Sequence, residues 1–195
     1  KSANGSANNA KNHIPCVGGI VGADYYSTGQ TNADVENCTN EGDIYYHNDC
    51  YKSNTTCGGI VGWPGAEGTT TSVTTNCVNK GNLDIYGAGK GRIGTIHGGG
   101  GSMVGCTNYG NLTIYNNHVD SVFGGLAGYG AANNKLENCA NYGDVVCKAK
   151  VTAIGGMCGA SAGQVFNWGH NCIINCTVKA EVAGTWAAML VGRTN

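Results

Sequence analysis

The side chains best suited to chemistry are a row of acids and amides, one in each copy of a phrase that the chain repeats. The row consists of Asp43, Asn82, Asn111, Asp144 and Glu181. Oxygen ligands at the spacing of neighbouring strands suit Ca²⁺ or the hydroxyl groups of a sugar, so the row is a candidate binding site. Because its acidic members are interrupted by amides, the simpler interpretation is a solvated outer face, and we predict no metal site.

Two of these acids, Asp144 and Glu181, fall in consecutive copies of the phrase. Glycoside cleavage uses two carboxyl groups roughly 5 to 10 Å apart, which neighbouring turns of a stacked fold would supply. Two surface acids often meet that distance by chance, and the sequence contains no G-x-S-x-G, H-E-x-x-H or complete phosphate-loop motif. We therefore predict no catalytic residue and no cofactor, and keep a polysaccharide lyase or glycoside hydrolase as the alternative function.

Aromatic residues offer a second route to a ligand, because their rings are flat, amphipathic contact surfaces. The candidates lie in or near the long loops of the first repeats and are Tyr25, Tyr26, Tyr45, Tyr51 and Trp63. Tyrosines that recur between repeats, Tyr109 with Tyr142 and Tyr86 with Tyr115, are instead expected to stack on each other.

These candidates are positioned by a phrase that occurs five times. The copies are ENCTNEGDI from Glu36, TNCVNKGNL from Thr75, VGCTNYGNL from Val104, ENCANYGDV from Glu137 and INCTVKAEV from Ile174. Between them lies a second phrase, GGIVG or a close variant, at Gly18, Gly58, Gly124 and Gly155, with HGGGG (His97–Gly101) as its irregular third copy. A phrase that returns every 20–50 residues indicates stacked units, each of which buries its apolar side against its neighbours.

The shortest circuit of the repeat contains three short apolar segments, Ser102–Cys106, Leu112–Tyr115 and Val119–Phe123. Three strands joined by three corners are typical of one turn of a parallel β-helix. We therefore predict an all-β fold, a right-handed parallel β-helix (β-solenoid) of about five three-stranded turns with projecting loops. Alternation of side chains along a strand predicts an inward apolar row. That row is Ile44, Leu83, Leu112, Val145 and Val182.

Two further rows of the phrase are predicted to stack from turn to turn inside the fold. They are the cysteines Cys38, Cys77, Cys106, Cys139 and Cys176, and the corner asparagines Asn40, Asn79, Asn108 and Asn141. We expect free, buried thiols, because stacked strands do not present the dihedral angle of a disulfide. Cys50 and Cys57 lie outside the row and are the best disulfide candidates. The asparagines are expected to hydrogen-bond along the stack, and the glycine two residues later to supply a positive φ.

Composition sets the limits of these hypotheses. Glycine accounts for 34 of 195 residues, and charged residues for 12% against about 25% in ordinary domains. The net charge of −1, with no basic cluster, argues against binding to nucleic acid or to an anionic membrane surface. No apolar run approaches the roughly 20 residues of a membrane span, which argues against direct membrane insertion. We interpret residues 1–195 as a single β-helix domain. Within it, residues 1–14 form a polar lead-in or N-terminal cap, and residues 183–195 form a final strand that continues or is covered in a longer protein.

The two phrases together, GG-[IL]-[VA]-G followed by x-N-C-x-N-x-G-[DN]-[IVL], resemble the GLUG-motif repeats of secreted bacterial, Bacteroides-type, adhesin-like surface proteins. The resemblance spans about residues 17–182. It implies a secreted or cell-surface β-helical module, acting as an adhesin segment or rigid spacer, whose loops contact a glycan or a host protein. The resemblance does not imply a catalytic activity. Because the open end of a solenoid is an exposed strand edge, we also expect adjoining repeats or domains of a longer chain.

Overall fold

The structure of the chain is a computed structural model, which describes residues 16–23, 34–50, 54–64, 73–130, 134–161 and 169–194. Every regular element in these ranges is a β-strand. The strands form five parallel sheets, named A to E in the order in which the chain visits them. One passage from sheet A to sheet E is one turn of a solenoid, and each turn is hydrogen-bonded to the next.

Sheets A and B contain six strands each. Sheet A consists of β1 (Cys16–Gly18), β6 (Thr55–Gly58), β11 (Gly91–Gly94), β16 (Val122–Gly124), β21 (Ala153–Gly155) and β26 (Trp186–Ala188). Sheet B consists of β2 (Val21–Ala23), β7 (Val61–Trp63), β12 (His97–Gly99), β17 (Ala127–Gly130), β22 (Cys158–Ser161) and β27 (Val191–Thr194).

Sheets C, D and E contain five strands each. Sheet C consists of β3 (Val35–Glu36), β8 (Val73–Thr75), β13 (Ser102–Val104), β18 (Leu136–Glu137) and β23 (Gly169–His170). Sheet D consists of β4 (Thr39–Asn40), β9 (Val78–Asn79), β14 (Thr107–Asn108), β19 (Ala140–Asn141) and β24 (Ile173–Ile174). Sheet E consists of β5 (Ile44–Asn48), β10 (Leu83–Gly87), β15 (Leu112–Ile114), β20 (Val145–Cys147) and β25 (Val178–Ala180).

The predicted parallel β-helix is confirmed, but each turn has five short strands instead of three. Two bends that the hydrophobic pattern does not reveal account for the difference. The diglycine bend divides one predicted strand into the strands of sheets A and B. A single left-handed residue divides the segment around the cysteine into the strands of sheets C and D. That residue is Asn37, Asn76, Asn138 or Asn171, with φ between 52° and 55°, or Gly105 with φ of 65°.

The corner glycines play a different role from the one expected. Gly42, Gly81, Gly110 and Gly143 do not adopt a left-handed φ. Gly81, Gly110 and Gly143 are required because the backbones of successive turns meet there: a Cβ on Gly110 would collide with the carbonyl of Gly81 in the turn before. A Cβ on Gly42, in the first turn, would make only an ordinary contact. The conformational role belongs to asparagine, which tolerates the left-handed region better than most residues do.

The interior is divided into two apolar clusters that run along the stack. One is built from sheets B and C and the bends beside them, and includes Ile60, Ile96, Met103, Leu126 and Leu136. The other is built from sheets A and E, and includes Leu83, Ile93, Leu112, Phe123 and Val145. Val178 contributes to the second cluster in the fifth turn, whereas the predicted inward residue Val182 is 37% exposed.

The four corner asparagines form a buried ladder along the stack. The Nδ2 atom of Asn40 donates to Oδ1 of Asn79 at 2.8 Å, and the same bond joins Asn79 to Asn108 at 2.8 Å and Asn108 to Asn141 at 2.7 Å. Each Nδ2 atom also donates to the carbonyl of the corner glycine two residues later. The predicted turn-to-turn stack is therefore present, with every amide group bonded along the axis and within its own corner.

The asparagine ladder explains why the second residue of the diglycine bend is a glycine. A Cβ on Gly59 would lie 2.6 Å from Oδ1 of Asn79, and one on Gly19 would lie 2.9 Å from Cγ of Asn40. Since the bend and the ladder are in contact, no side chain fits at most of these positions. The third turn is the exception: its bend is Gly94–Thr95, and His97 pairs with Val61 and Ala127. The predicted third copy at His97–Gly101 is therefore displaced by three residues.

The cysteine row contains Cys172 where Cys176 was predicted. His170 pairs with Glu137 and Ile173 with Ala140, which aligns Cys172 with Cys139. The Sγ atom of Cys172 donates to the carbonyl of His170, as Cys38, Cys77, Cys106 and Cys139 do to the residue two positions before them. Cys176 instead accepts from Nδ2 of Asn141 at 3.3 Å. None of the eleven cysteines, all of which lie in the described ranges, forms a disulfide, so the candidate pair Cys50 and Cys57 is not bridged.

The interior also contains a buried polar pair, formed by His97 and Thr74. The side chain of His97, which occupies the position of Val61 and Ala127, is fully buried. Its Nε2 atom lies 2.7 Å from Oγ1 of Thr74, and its Nδ1 atom lies 3.2 Å from the carbonyl of Gly100. Burial lowers the pKa of His97 to about 4, so the ring is neutral at neutral pH.

The asparagine ladder leads to a first prediction. Replacing Asn108 with alanine removes a buried amide, leaves one N–H of the Asn79 amide without its acceptor, and leaves Oδ1 of Asn141 with only the bond from the backbone N–H of Gly143. Loss of these hydrogen bonds should lower the free energy of unfolding by about 2–4 kcal/mol, as measured by urea denaturation. Asn111→Ala, three residues away on the exposed surface, is the matched control and should cost less than about 1 kcal/mol. Equal costs for the two variants would contradict a special role for the buried ladder.

His97 leads to a second prediction. Its pKa is lower in the folded state than the ordinary value of about 6.5, so below pH 6.5 the unfolded chain takes up a proton that the folded chain does not. The free energy of unfolding should therefore fall between pH 6.5 and pH 4, by roughly 3 kcal/mol in all. In His97→Val/Thr74→Val this part of the pH dependence should disappear, whereas the exposed His170→Gln should retain it. A double variant with the wild-type pH profile would show that His97 is not the titrating group.

Candidate functional site

The predicted outward row of acids and amides is a second hydrogen-bonded ladder. Oδ1 of Asp43 accepts from the backbone N–H of Asn82 at 2.8 Å, and Oδ1 of Asn82 accepts from that of Asn111 at 3.0 Å. Asn111 accepts in the same way from Asp144 at 2.9 Å, and Asp144 from Thr177 at 2.7 Å. One oxygen of each side chain is thus committed to the next turn, which gives the row a structural role at the corner between sheets D and E.

Glu181, the fifth predicted member, does not belong to this row. Val178 pairs with Val145, so the residue aligned with Asp144 is Thr177, and Glu181 lies four residues further on. Four extended residues span roughly 13 Å, which is more than the separation of the two carboxyl groups in a glycosidase. Glu181 instead contacts Nζ of Lys179 at 2.9 Å, and this hydrogen bond lowers the pKa of its carboxyl group. The predicted Asp144–Glu181 pair is therefore not formed.

The loop aromatics divide into three groups. Tyr25, Tyr26 and Tyr51 lie outside the described residues. Trp63 is only 8% exposed and ends β7, so its ring is not the projecting loop side chain that was predicted. Tyr45 is 71% exposed on the outer side of β5 and is available to a ligand.

The recurring tyrosines form two stacked pairs on the surface. The rings of Tyr86 and Tyr115 are 4.7 Å apart at 2° between planes, and those of Tyr109 and Tyr142 are 5.3 Å apart at 13°. The predicted stacking is thus present. Tyr109, Tyr115 and Tyr142 are nevertheless exposed large side chains. We name Tyr45 and the two pairs, Tyr86–Tyr115 and Tyr109–Tyr142, the tyrosine surface.

Charged side chains occupy the positions equivalent to these stacked tyrosines on neighbouring turns. Nζ of Lys148 lies 5.1 Å from the centre of the Tyr115 ring, on the turn after it. Nζ of Lys80 contacts Oε1 of Glu41 at 2.8 Å, and this hydrogen bond lowers the pKa of the Glu41 carboxyl group. The columns therefore combine flat rings with hydrogen-bonding and charged groups, a composition suited to binding an extended polar ligand.

Sequence reasoning weighed the recurring tyrosines only as packing partners, and missed that stacking leaves ring surface exposed. The available signal was the NYG corner of two consecutive copies, because a residue next to an outward corner cannot be buried by the stack. Within the described ranges, no group of three or more His, Cys, Asp or Glu residues could hold a metal ion.

Comparison of the chain with protein-family models, with curated proteins and with solved structures finds no match. In the part of the chain that the structure describes, no helix is long and apolar enough to span a membrane.

The outward ladder leads to a third prediction. Asp144→Asn keeps an oxygen that accepts from Thr177, as Asn82 and Asn111 do for their neighbours, and should change the free energy of unfolding by less than about 0.5 kcal/mol. Asp144→Ala removes the acceptor and should cost about 1 kcal/mol in urea denaturation, since the exposed N–H can still bond to water. If Asp144→Asn were as destabilised as Asp144→Ala, the negative charge, not the hydrogen bond, would be the important property.

Proposed function

We propose that the chain is a non-catalytic β-helical module of a secreted or cell-surface bacterial protein, in which it acts as a rigid adhesin segment that binds glycan through the tyrosine surface. The observation that carries the proposal is the face-to-face pairing of exposed tyrosines on consecutive turns, at 4.7 and 5.3 Å. The extracellular bacterial setting rests on the resemblance of the two repeated phrases to GLUG-motif repeats.

Tyrosine suits carbohydrate because it offers a flat apolar ring and a hydroxyl group that can donate and accept hydrogen bonds. Rings that are already stacked lose little conformational entropy when a ligand binds, so more of the contact energy appears as affinity. Tyr109 and Tyr115 are six residues apart, at most about 20 Å along an extended chain. A glycan chain that contacts both pairs would therefore have to extend over several sugar units.

The proposal that the module is non-catalytic is supported by the structural roles and positions of its two candidate acids. Asp144 accepts a backbone hydrogen bond from the next turn, and Glu181 is displaced from it along sheet E. The spacer part is supported by the parallel hydrogen bonding of every turn to its neighbours, which gives a stack that resists bending. The low content of charged residues suits a surface that binds through rings and hydroxyl groups more than through ion pairs.

A glycan array probed with the purified domain tests the proposal. Tyr115→Ala and Tyr142→Ala should each reduce binding to the retained glycans at least about tenfold, which corresponds to about 1.4 kcal/mol. Tyr115→Phe keeps the ring and should retain most of the binding. Thr113→Ala, in β15 two residues before Tyr115, is the control and should bind as the wild type does.

Two results would overturn the proposal. A blank array would leave only the spacer role. Release of reducing sugar or of an unsaturated product from polysaccharides, abolished by Asp144→Asn, would establish the enzymatic alternative.

A further inference from the structure

A cleft of about 230 Å³ opens where strands of sheets A and B meet. Its walls come from β11, β16, β17, β22 and β27 and from the segments that lead into sheet A. None of its lining residues belongs to the tyrosine surface. The cleft is smaller than the roughly 300–1,000 Å³ of typical small-molecule sites, so it fits one chemical group or sugar ring and not a whole cofactor.

Positively charged side chains are concentrated in the cleft, although lysine and arginine are infrequent in the chain. Lys90, Arg92 and Arg193 all line the cleft, which is three of the eleven lysines and arginines in the sequence. Among the described residues that line the cleft, the only acid is Asp120, whose Oδ2 atom is 3.8 Å from Nζ of Lys90. Because the whole chain carries a net charge of −1, this concentration of cations is a local feature and not a reflection of overall composition.

Arg92 is held in a fixed orientation. Its guanidinium carbon lies 3.9 Å from the centre of the Tyr129 ring, a cation–π contact. Gly99 aligns with Tyr129 in sheet B, and a Cβ there would lie 3.4 Å from the Trp63 ring and 3.7 Å from Cδ of Arg92. The stem of Arg92 thus passes close to Gly99 and to the Trp63 ring. A pre-oriented guanidinium group loses less entropy on binding an anion than a mobile one does.

We propose that this cleft binds one anionic substituent, a carboxylate or a sulfate ester, of an acidic polysaccharide. Arg92 supplies a planar fork that can hold two oxygens of the anion, and Lys90 and Arg193 supply further positive charge. Val122, which is 7% exposed, forms an apolar part of the wall against which the C–H groups of the sugar ring can pack. The assignment of an anion rests on the cleft alone, whereas its assignment to a polysaccharide rests on the proposed glycan-binding function.

Isothermal titration calorimetry with oligosaccharides of defined charge tests this site. Oligogalacturonate carries carboxylates only, dextran sulfate carries sulfates only, and dextran is the neutral match of the latter. We expect binding of at least one charged probe, weakening of that binding as salt is added, and no binding of dextran at the same concentrations. The tighter of the two charged probes identifies the anion.

Substitutions of the positively charged residues test whether the charged probe binds in the cleft. Arg193→Gln and Lys90→Gln should each weaken the charged probe about tenfold, and Arg92→Lys, which keeps the charge but loses the fork, should do the same. Lys135→Gln removes an exposed charge outside the cleft and should have no effect. Circular dichroism and urea denaturation establish that each variant is folded.

The outcomes separate this site from the tyrosine surface. Tyr115→Ala should leave the charged probe bound, so a loss of binding in that variant would overturn the cleft as a distinct site. Equal binding of dextran and dextran sulfate, absence of binding to either charged probe, or equal effects of Arg193→Gln and Lys135→Gln would also overturn it. Failure of the tyrosine variants on the array would contradict the proposed function without affecting the cleft.

Discussion

The contact between the buried asparagine ladder and the diglycine bend is the constraint on which the rest of the structure depends. The bend can approach the ladder only because Gly19 and Gly59 lack a side chain, and a Cβ on Gly125 would likewise collide with Asn141. This contact joins the opposite sides of the first, second and fourth turns. It also explains why the two repeated phrases occur together in the sequence: one supplies the amide and the other supplies the space beside it.

Two turns depart from this pattern and satisfy their polar groups in another way. In the third turn Thr95 replaces the second glycine, and its hydroxyl donates to the carbonyl of Gly125 in the next turn. In the fifth turn Ile174 replaces the asparagine, and Asn141 ends the ladder by donating to the carbonyl of Gly156 at 2.9 Å. The stack therefore tolerates a change of chemistry at this position when the remaining polar groups find another backbone partner.

Much of the fold could be predicted because equivalent positions are recognisable in each copy of the repeat, and these positions align when the turns stack. The phrase placed Cys38, Cys77, Cys106 and Cys139 in one column and the four asparagines in another. The fifth copy misled because its sequence contains two N-C pairs, Asn171–Cys172 and Asn175–Cys176. Only the first supplies the left-handed asparagine that the corner between sheets C and D requires. Choosing the second shifted Cys176, Glu181 and Val182 by four residues, and so created a carboxylate pair that the strand register does not contain.

The candidate sites were harder to predict than the fold, for a physical reason. The outward row appeared suited to ligands because its side chains are polar, but the sequence does not show that their oxygens are used by the backbone of the next turn. The cleft has no recognisable sequence motif, since Arg193 comes from β27, far along the chain from Lys90 and Arg92 at β11, and lines the same cleft only when the turns are stacked.

The asparagine ladder has a direction. Every amide from Asn40 to Asn141 donates toward the later turn, and each one after Asn40 accepts from the amide of the earlier turn, so the amide dipoles are aligned and reinforce one another. The solenoid is therefore electrically polar along its axis, with the oxygen end at the first turn and the N–H end at the fourth. A chain of this kind strengthens as it lengthens, because each added amide polarises those already present. Repeats of this design are thus favoured in runs, and an isolated copy would lose the cooperative part of its stability.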